Sequence, residues 1–201
     1  VDTNVVILIL GLVFLGSATV LVWRGQLHGS GGGVSLSLGE MLKVKVKLPT
    51  ENAARAGDAI SRAEQERGLS DNGGRSVQIG HSTMTARILW VDDKPDNNLY
   101  ETLALENLGK FITKTTHTES AFAYLSSGLD FALVITDLGR FDDPEAGTEF
   151  IRSARASGYK QPIVVYTVGA ERVRDTLRAV GADAVVDTPV ALIDEVENRI
   201  G

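Results

Sequence analysis

No cysteine occurs among the 201 residues, which removes disulfides, thiolate zinc sites, iron–sulfur clusters and cysteine nucleophiles together, and fits a reducing compartment. Histidine is nearly as scarce. His28, His81 and His117 have no neighbours at metal-ligand spacing, so no histidine metal site is expected. Several catalytic signatures are also missing: there is no G-x-x-x-x-G-K-[ST], no G-x-S-x-G and no paired D-x-D after a strand pattern. A nucleotide hydrolase or an aspartate-based phosphatase therefore ranks low. Nor is there a basic surplus. With 20 Lys and Arg against 26 Asp and Glu the net charge is -6, and no nucleic acid partner is expected from a general positive field.

What is present suits a packed domain with additions. Hydrophobic residues make up 43% and charged ones 23%, a globular composition, while 201 residues exceed one ordinary domain. The acidity is C-terminal: residues 85–201 hold 12 Lys or Arg against 19 Asp or Glu. Val5 to Trp23 reads VVILILGLVFLGSATVLVW, nineteen positions without a charge, and about 20 apolar residues let a helix cross ~30 Å of hydrocarbon. The sequence thus predicts a transmembrane helix over residues 1–24, with the membrane as a partner of residues 5–23. A cleaved signal peptide fits less well, since only Asp2 precedes the run, and a core helix rarely extends so far without a polar face. Arg24 follows the run and no Lys or Arg precedes it, so the expectation is a single-pass membrane protein with its C-terminal domain in the cytoplasm. The chain starts at Val1, and basic residues in an upstream piece would reverse that orientation.

Four further segments follow. Residues 25–33, GQLHGSGGG, read as a flexible tether. Residues 34–68 read as a small unit of two strands and a helix. VSLSLGEMLKVKVKL alternates with period two, and Gly39-Glu40 marks a turn between its halves. After Pro49-Thr50, Ala53, Ala56, Ile60 and Ala63 recur at helical spacing, an Ala-rich stripe fit for close packing against a neighbour or a second copy. Residues 69–85, with Asn72-Gly73-Gly74, read as a linker. From residue 86 to 201, short apolar runs alternate with helical patterns five times, from RILWV followed by PDNNLYETLALENLG to DAVVD followed by PVALIDEVENRIG. That is (βα)5. Wholly apolar strands such as 131–135 and 163–166 are buried on both faces, which predicts an α/β doubly wound parallel sheet.

In such a sheet ligands bind beyond the carboxyl ends of the strands. Asp92 and Asp93 follow the first strand and Asp137 follows the third, so the order 2-1-3-4-5 brings three carboxylates to one edge. Crowded carboxylates take up protons or hold a hard cation, and oxygen-only ligands suit Mg2+. A carboxylate so placed can also attack phosphorus. Thr167 ends the fourth strand with a hydroxyl for a phosphoryl oxygen. A plainer role stays open: Asp92 or Asp93 before Pro95, and Thr167 before Ala170-Glu171, can each serve as a helix N-cap.

At these residues the sequence resembles the response-regulator receiver family, the CheY-like (flavodoxin-like) phosphoacceptor domains of two-component signalling. The resemblance rests on ILWVDD (88–93), LVITD (133–137), IVVYT (163–167), GAD (181–183) and Pro189. It implies that Asp137 is the phosphoacceptor, that Asp92 and Asp93 with the Gly139 carbonyl hold Mg2+, and that Thr167 is the switch hydroxyl. The family's lysine before the proline is here Thr188, its strand-five aromatic is Val185, and LGRFDDPEAG after Asp137 is about two residues longer than usual. Lys94 and Arg140 flank the pocket in sequence as candidate substitute cations. Two functions remain open: a phosphoryl-accepting signalling module, or a receiver that is never phosphorylated and serves as an assembly or interaction subunit. In either, a protein partner (kinase or effector) or self-association is expected, through the face built from residues 170–200. No DNA-binding segment follows that face within the sequence, so the expected output is through the N-terminal part, the membrane or another protein.

Overall fold

The computed structural model of the chain describes residues 45–69 and 82–201. A two-stranded ribbon pairs β1 (Lys45–Lys47) antiparallel with β2 (Ser82–Met84), and α1 (Thr50–Glu66) lies between them in sequence. Then follow β3 (Ala86–Val91), a 3₁₀ turn (Pro95–Asn98), α2 (Leu99–Asn107), β4 (Lys110–Thr115), α3 (Thr118–Ser126), β5 (Leu133–Thr136), α4 (Ala146–Ala156), β6 (Ile163–Tyr166), α5 (Ala170–Ala179), β7 (Ala184–Val186) and α6 (Pro189–Ile200).

Strands β3 to β7 form one parallel sheet in the order β4-β3-β5-β6-β7, the 2-1-3-4-5 arrangement of a doubly wound sheet. Alternation along the strands sorts the core into two layers. Ile88, Trp90, Leu133, Ile135, Val164 and Val186 face α2 and α6 and are covered by Leu105, by Leu108 just after α2, and by Leu192, Ile193 and Val196. Leu89, Val91, Val134, Val165 and Val185 face the other way, onto Phe150 and Ile151 of α4 and Leu177 of α5. Both faces are therefore dry, as the apolar strand sequences require. Because all five strands are parallel, the strand ends that carry Asp92, Asp137 and Thr167 lie along one edge.

Helix α1 joins the first layer. Its Ala56, Ala59, Ile60 and Ala63 are buried, and it packs against α2 and α6. Small side chains let the helix backbones approach closely, so the Ala-rich stripe finds its neighbour within the same chain. Lys110 ties this side together: its Nζ donates to the Met84 carbonyl at 2.9 Å and pairs with Glu197 of α6 at 2.7 Å.

Strand β1 pairs with Ser82–Met84, so part of the stretch read as a linker is strand. The strand expected over residues 34–38, the tether 25–33 and most of the linker lie outside the described residues. The reading of a single-pass membrane protein with a cytoplasmic C-terminal domain is corrected. No helix among the described residues is long and apolar enough to cross a membrane. The described helices are amphipathic or core elements of a layered sheet, and the run Val5 to Trp23 on which that reading rested is itself outside the described residues.

Candidate functional site

The ladder carries the acidic residues to one level. Val91 is paired in register with Thr136, and the Asp137 N–H donates to the Val91 carbonyl at 3.0 Å. The Asp92 N–H donates likewise to Thr115 of β4, and the Thr167 N–H to Val186 of β7, both at 3.0 Å. Asp92, Asp93 and Asp137 each offer a carboxylate oxygen, and these oxygens lie within 4.8 Å of one another. They line a cleft of about 650 Å³ with Lys94, Asn98, Gly139, Thr167 and, from outside the sheet's own elements, Ala63, Glu66 and Arg67.

Each carboxylate is held. Asp92 is buried; one oxygen accepts the Lys94 N–H at 2.7 Å and the other accepts from the Asn98 side-chain amide at 2.5 Å. Asp93 accepts the Phe141 N–H at 2.7 Å. Phe141 has φ of 54°, uncommon for a residue with a side chain, and that turn of the long loop after β5 is what aims its N–H at Asp93. Asp137 accepts the Leu138 N–H at 2.7 Å. Burial pushes the Asp137 carboxyl above the usual carboxylate range; the charges of Asp92 and Asp93 push the same way, against hydrogen bonds from Leu138 and from the Thr167 hydroxyl.

Helix capping does not account for these residues. The N-cap of the 3₁₀ turn is Lys94 and that of α5 is Gly169, neither with a side-chain cap bond. The donor set does fit Mg2+. Opposite ligands of an octahedral Mg2+ stand about 4.2 Å apart, since each bond is ~2.1 Å, so oxygens within 4.8 Å close on one ion with small side-chain shifts or one bridging water.

No family model matches the chain, and no curated protein matches it. Solved structures do. The response regulator TrrA from Thermotoga maritima, in complex with Mg(2+)-BeF, aligns over 57% of this chain and 99% of its own, at 24% identity and a TM-score of 0.50. The chemotaxis response regulator CheY4 of Vibrio cholerae aligns over 58% and 99%, at 20% identity and a TM-score of 0.50. Full-length ShkA in complex with AMPPNP aligns over 69% of this chain but 29% of its own, at 27% identity and a TM-score of 0.50. The fold is the CheY-like receiver fold.

Within that fold the candidate cations separate. Thr188, expected from the sequence at the position of the receiver lysine, accepts the Ala191 N–H at 3.2 Å and caps α6. Val185 is a core residue. Arg140 is 3% exposed and turned inward: it donates to Thr136 Oγ1, Thr118 Oγ1 and the Asp137 and Ala146 carbonyls, bracing the strand end from behind. Lys94 is exposed and lines the cleft. A second cation there, Arg67, escaped the sequence reading, as did Asn98, Glu101 and Tyr166. One signal existed for Glu101. It shares the core-facing positions of Leu105 and Leu108 on α2, where a carboxylate needs a partner.

Proposed function

We propose that residues 86–201 act as a receiver module that accepts a phosphoryl group on Asp137, with Mg2+ held by Asp92, Asp93 and the Gly139 carbonyl, and signals through protein contacts. The observation carrying this reading is the meeting of three carboxylate oxygens within 4.8 Å at the carboxyl edge of a parallel sheet. A Mg2+ ion there supplies charge neutralisation for the phosphoryl oxygens.

The chain's own residues do the rest. Asp92 and Asp93 are pre-oriented by the Lys94 and Phe141 N–H groups, so little ordering remains when a cation arrives. With one oxygen of Asp137 engaged by Leu138, the other attacks the phosphorus of an acyl phosphate or phosphoimidazole donor. For an acyl phosphate, the bond from phosphorus to the leaving oxygen breaks with its electron pair, a carboxylate departs, and Asp137 carries the phosphoryl group; no proton moves. Thr167, which lines the same cleft, then donates its hydroxyl to a phosphoryl oxygen. Lys94 supplies the cation that Thr188 lacks. A kinase is the donor and an effector or a second copy the reader, meeting the face of residues 170–200.

One observation favours the second reading, a receiver that is never phosphorylated: the hydroxyl at the lysine position is occupied in capping a helix. Losing a charge-assisted contact forfeits about 1.5–3 kcal/mol. The full chain treated with acetyl phosphate and Mg2+, wild type beside Asp137→Asn, decides between them by intact mass. Addition of one phosphoryl group, lost in the variant and with Mg2+ withheld, is expected. No addition in the wild type selects the binding-only receiver.

A further inference from the structure

Strands β3 to β7 and helices α2 to α6 make up the receiver fold, and α1 is additional to it. Its end lies beside the acidic cleft. Arg67, the residue after α1, donates from Nε to Glu101 Oε1 at 2.9 Å and from Nη2 to Asn98 Oδ1 at 2.8 Å. Its guanidinium sits 4.4 Å from the centre of the Tyr166 ring, whose hydroxyl donates to Glu101 at 2.8 Å. A guanidinium has donors only, so Asn98 must present its oxygen to Arg67 and its NH2 group to the other side. On that other side stands Asp92, which accepts from Asn98 Nδ2 at 2.5 Å. Flipping the amide would set donor against donor at Arg67 and acceptor against acceptor at Asp92. Asn98 is 4% exposed and Glu101 2%, so little water reaches the network to relieve either mismatch.

We propose that Arg67 is a positioning residue: acting through Asn98 it sets the orientation of Asp92, so that docking of α1 and cation binding in the acidic cleft are linked. The inference rests on the reading of Asp92, Asp93 and Asp137 as Mg2+ ligands. Linkage is reciprocal: whatever factor the docked α1 adds to cation affinity, the cation adds to α1 docking. The segment N-terminal to the receiver fold is then a means of setting the site, or of sensing its occupancy.

Electrostatics alone and positioning differ in sign. Taking a positive charge away from a cation site tightens binding if charge is all that matters. Loss of a partner behind a ligand weakens metal binding by about 10–100-fold. The test is a Mg2+ titration by calorimetry on the full chain. Arg67→Met is made on a Glu101→Gln background, so that no buried carboxylate is left without its counter-charge, and is compared with Glu101→Gln alone, Asn98→Ala and Asp137→Asn. Circular dichroism checks that each is folded. Arg67→Met is expected to weaken Mg2+ binding at least about tenfold, and to have no further effect once Asn98→Ala is present. In a second measurement, Mg2+ slows amide hydrogen exchange across residues 50–66 of the wild type and leaves it unchanged in Asn98→Ala. If wild type binds Mg2+, Asp137→Asn does not, and Arg67→Met binds it equally or more tightly, the link is overturned while the site reading stands. A wild type that binds no Mg2+ removes both.

Discussion

Asp137 is held at odds with its own charge. Its carboxyl is raised first by burial and then by Asp92 and Asp93, so the folded chain binds that proton more tightly than the unfolded chain does. Stability linked to this group is therefore greatest at low pH. It falls as pH rises from the ordinary Asp range through the raised value, and the full penalty is in place only above that value. Asp137→Asn removes the titrating group while keeping an acceptor for the Leu138 N–H. In EDTA the variant is expected to melt above the wild type at pH 7, and the difference should vanish as pH is lowered through the ordinary Asp range. Added Mg2+ should raise the melting temperature of the wild type only. Thermal melts from pH 4 to 7.5 check all three statements. A variant less stable than wild type in EDTA at pH 7 contradicts a strained carboxylate.

The end of β5 is held by α4 as well as by the sheet. The Gly147 N–H donates to the Leu138 carbonyl at 2.7 Å, and a Cβ at position 147 would fall onto the Asp137 carbonyl oxygen and stand 2.8 Å from the Leu138 Cα. Helix propensity favours Ala over Gly by about 1 kcal/mol. Overpacking against backbone costs about 1–3 kcal/mol, and here neither backbone can give without moving Asp137. Gly147→Ala is thus expected to destabilise the chain by up to about 2 kcal/mol net, read from urea unfolding, and to weaken Mg2+ binding along with it. A stabilised variant would mean that the loop yields freely. Sequence could not show this contact. The apolar strand before Asp137 and the helical pattern from residue 146 are both legible, but which glycine touches which carbonyl depends on the crossing of α4 over the strand end. Asp92, Asp93 and Asp137 were legible for the opposite reason: each ends a strand, and a parallel sheet brings strand ends to one edge whatever its helices do. Phe141 was not, because its N–H reaches Asp93 only through a left-handed turn that nothing in LGRFDDPEAG demands.

For the molecule as a whole, the receiver fold could be read from residues 86–201 because period, strand apolarity and chain order all agree. The attachment of α1 could not. An Ala-rich stripe at positions 53, 56, 60 and 63 states that a close neighbour exists without saying which, and Arg67 carries no mark of its destination. Helix α1 has that neighbour in α2 and α6, with Leu48, Ala56, Ala59 and Ile60 continuous with the core around Trp90. Burying one large aliphatic side chain contributes about 1.5–3 kcal/mol, so Leu48 and Ile60 alone contribute about 3–6 kcal/mol by the same area rule. Melting temperature moves by about 2–8 °C per kcal/mol for domains of this size range. The chain cut to residues 82–201 is therefore expected to melt at least about 6 °C below the full chain, and to leave apolar surface of α2 and α6 open to self-association in sedimentation. If the two melt together, α1 contributes no net stability by docking, and its contact with the acidic cleft would have to be held by the Arg67 network alone.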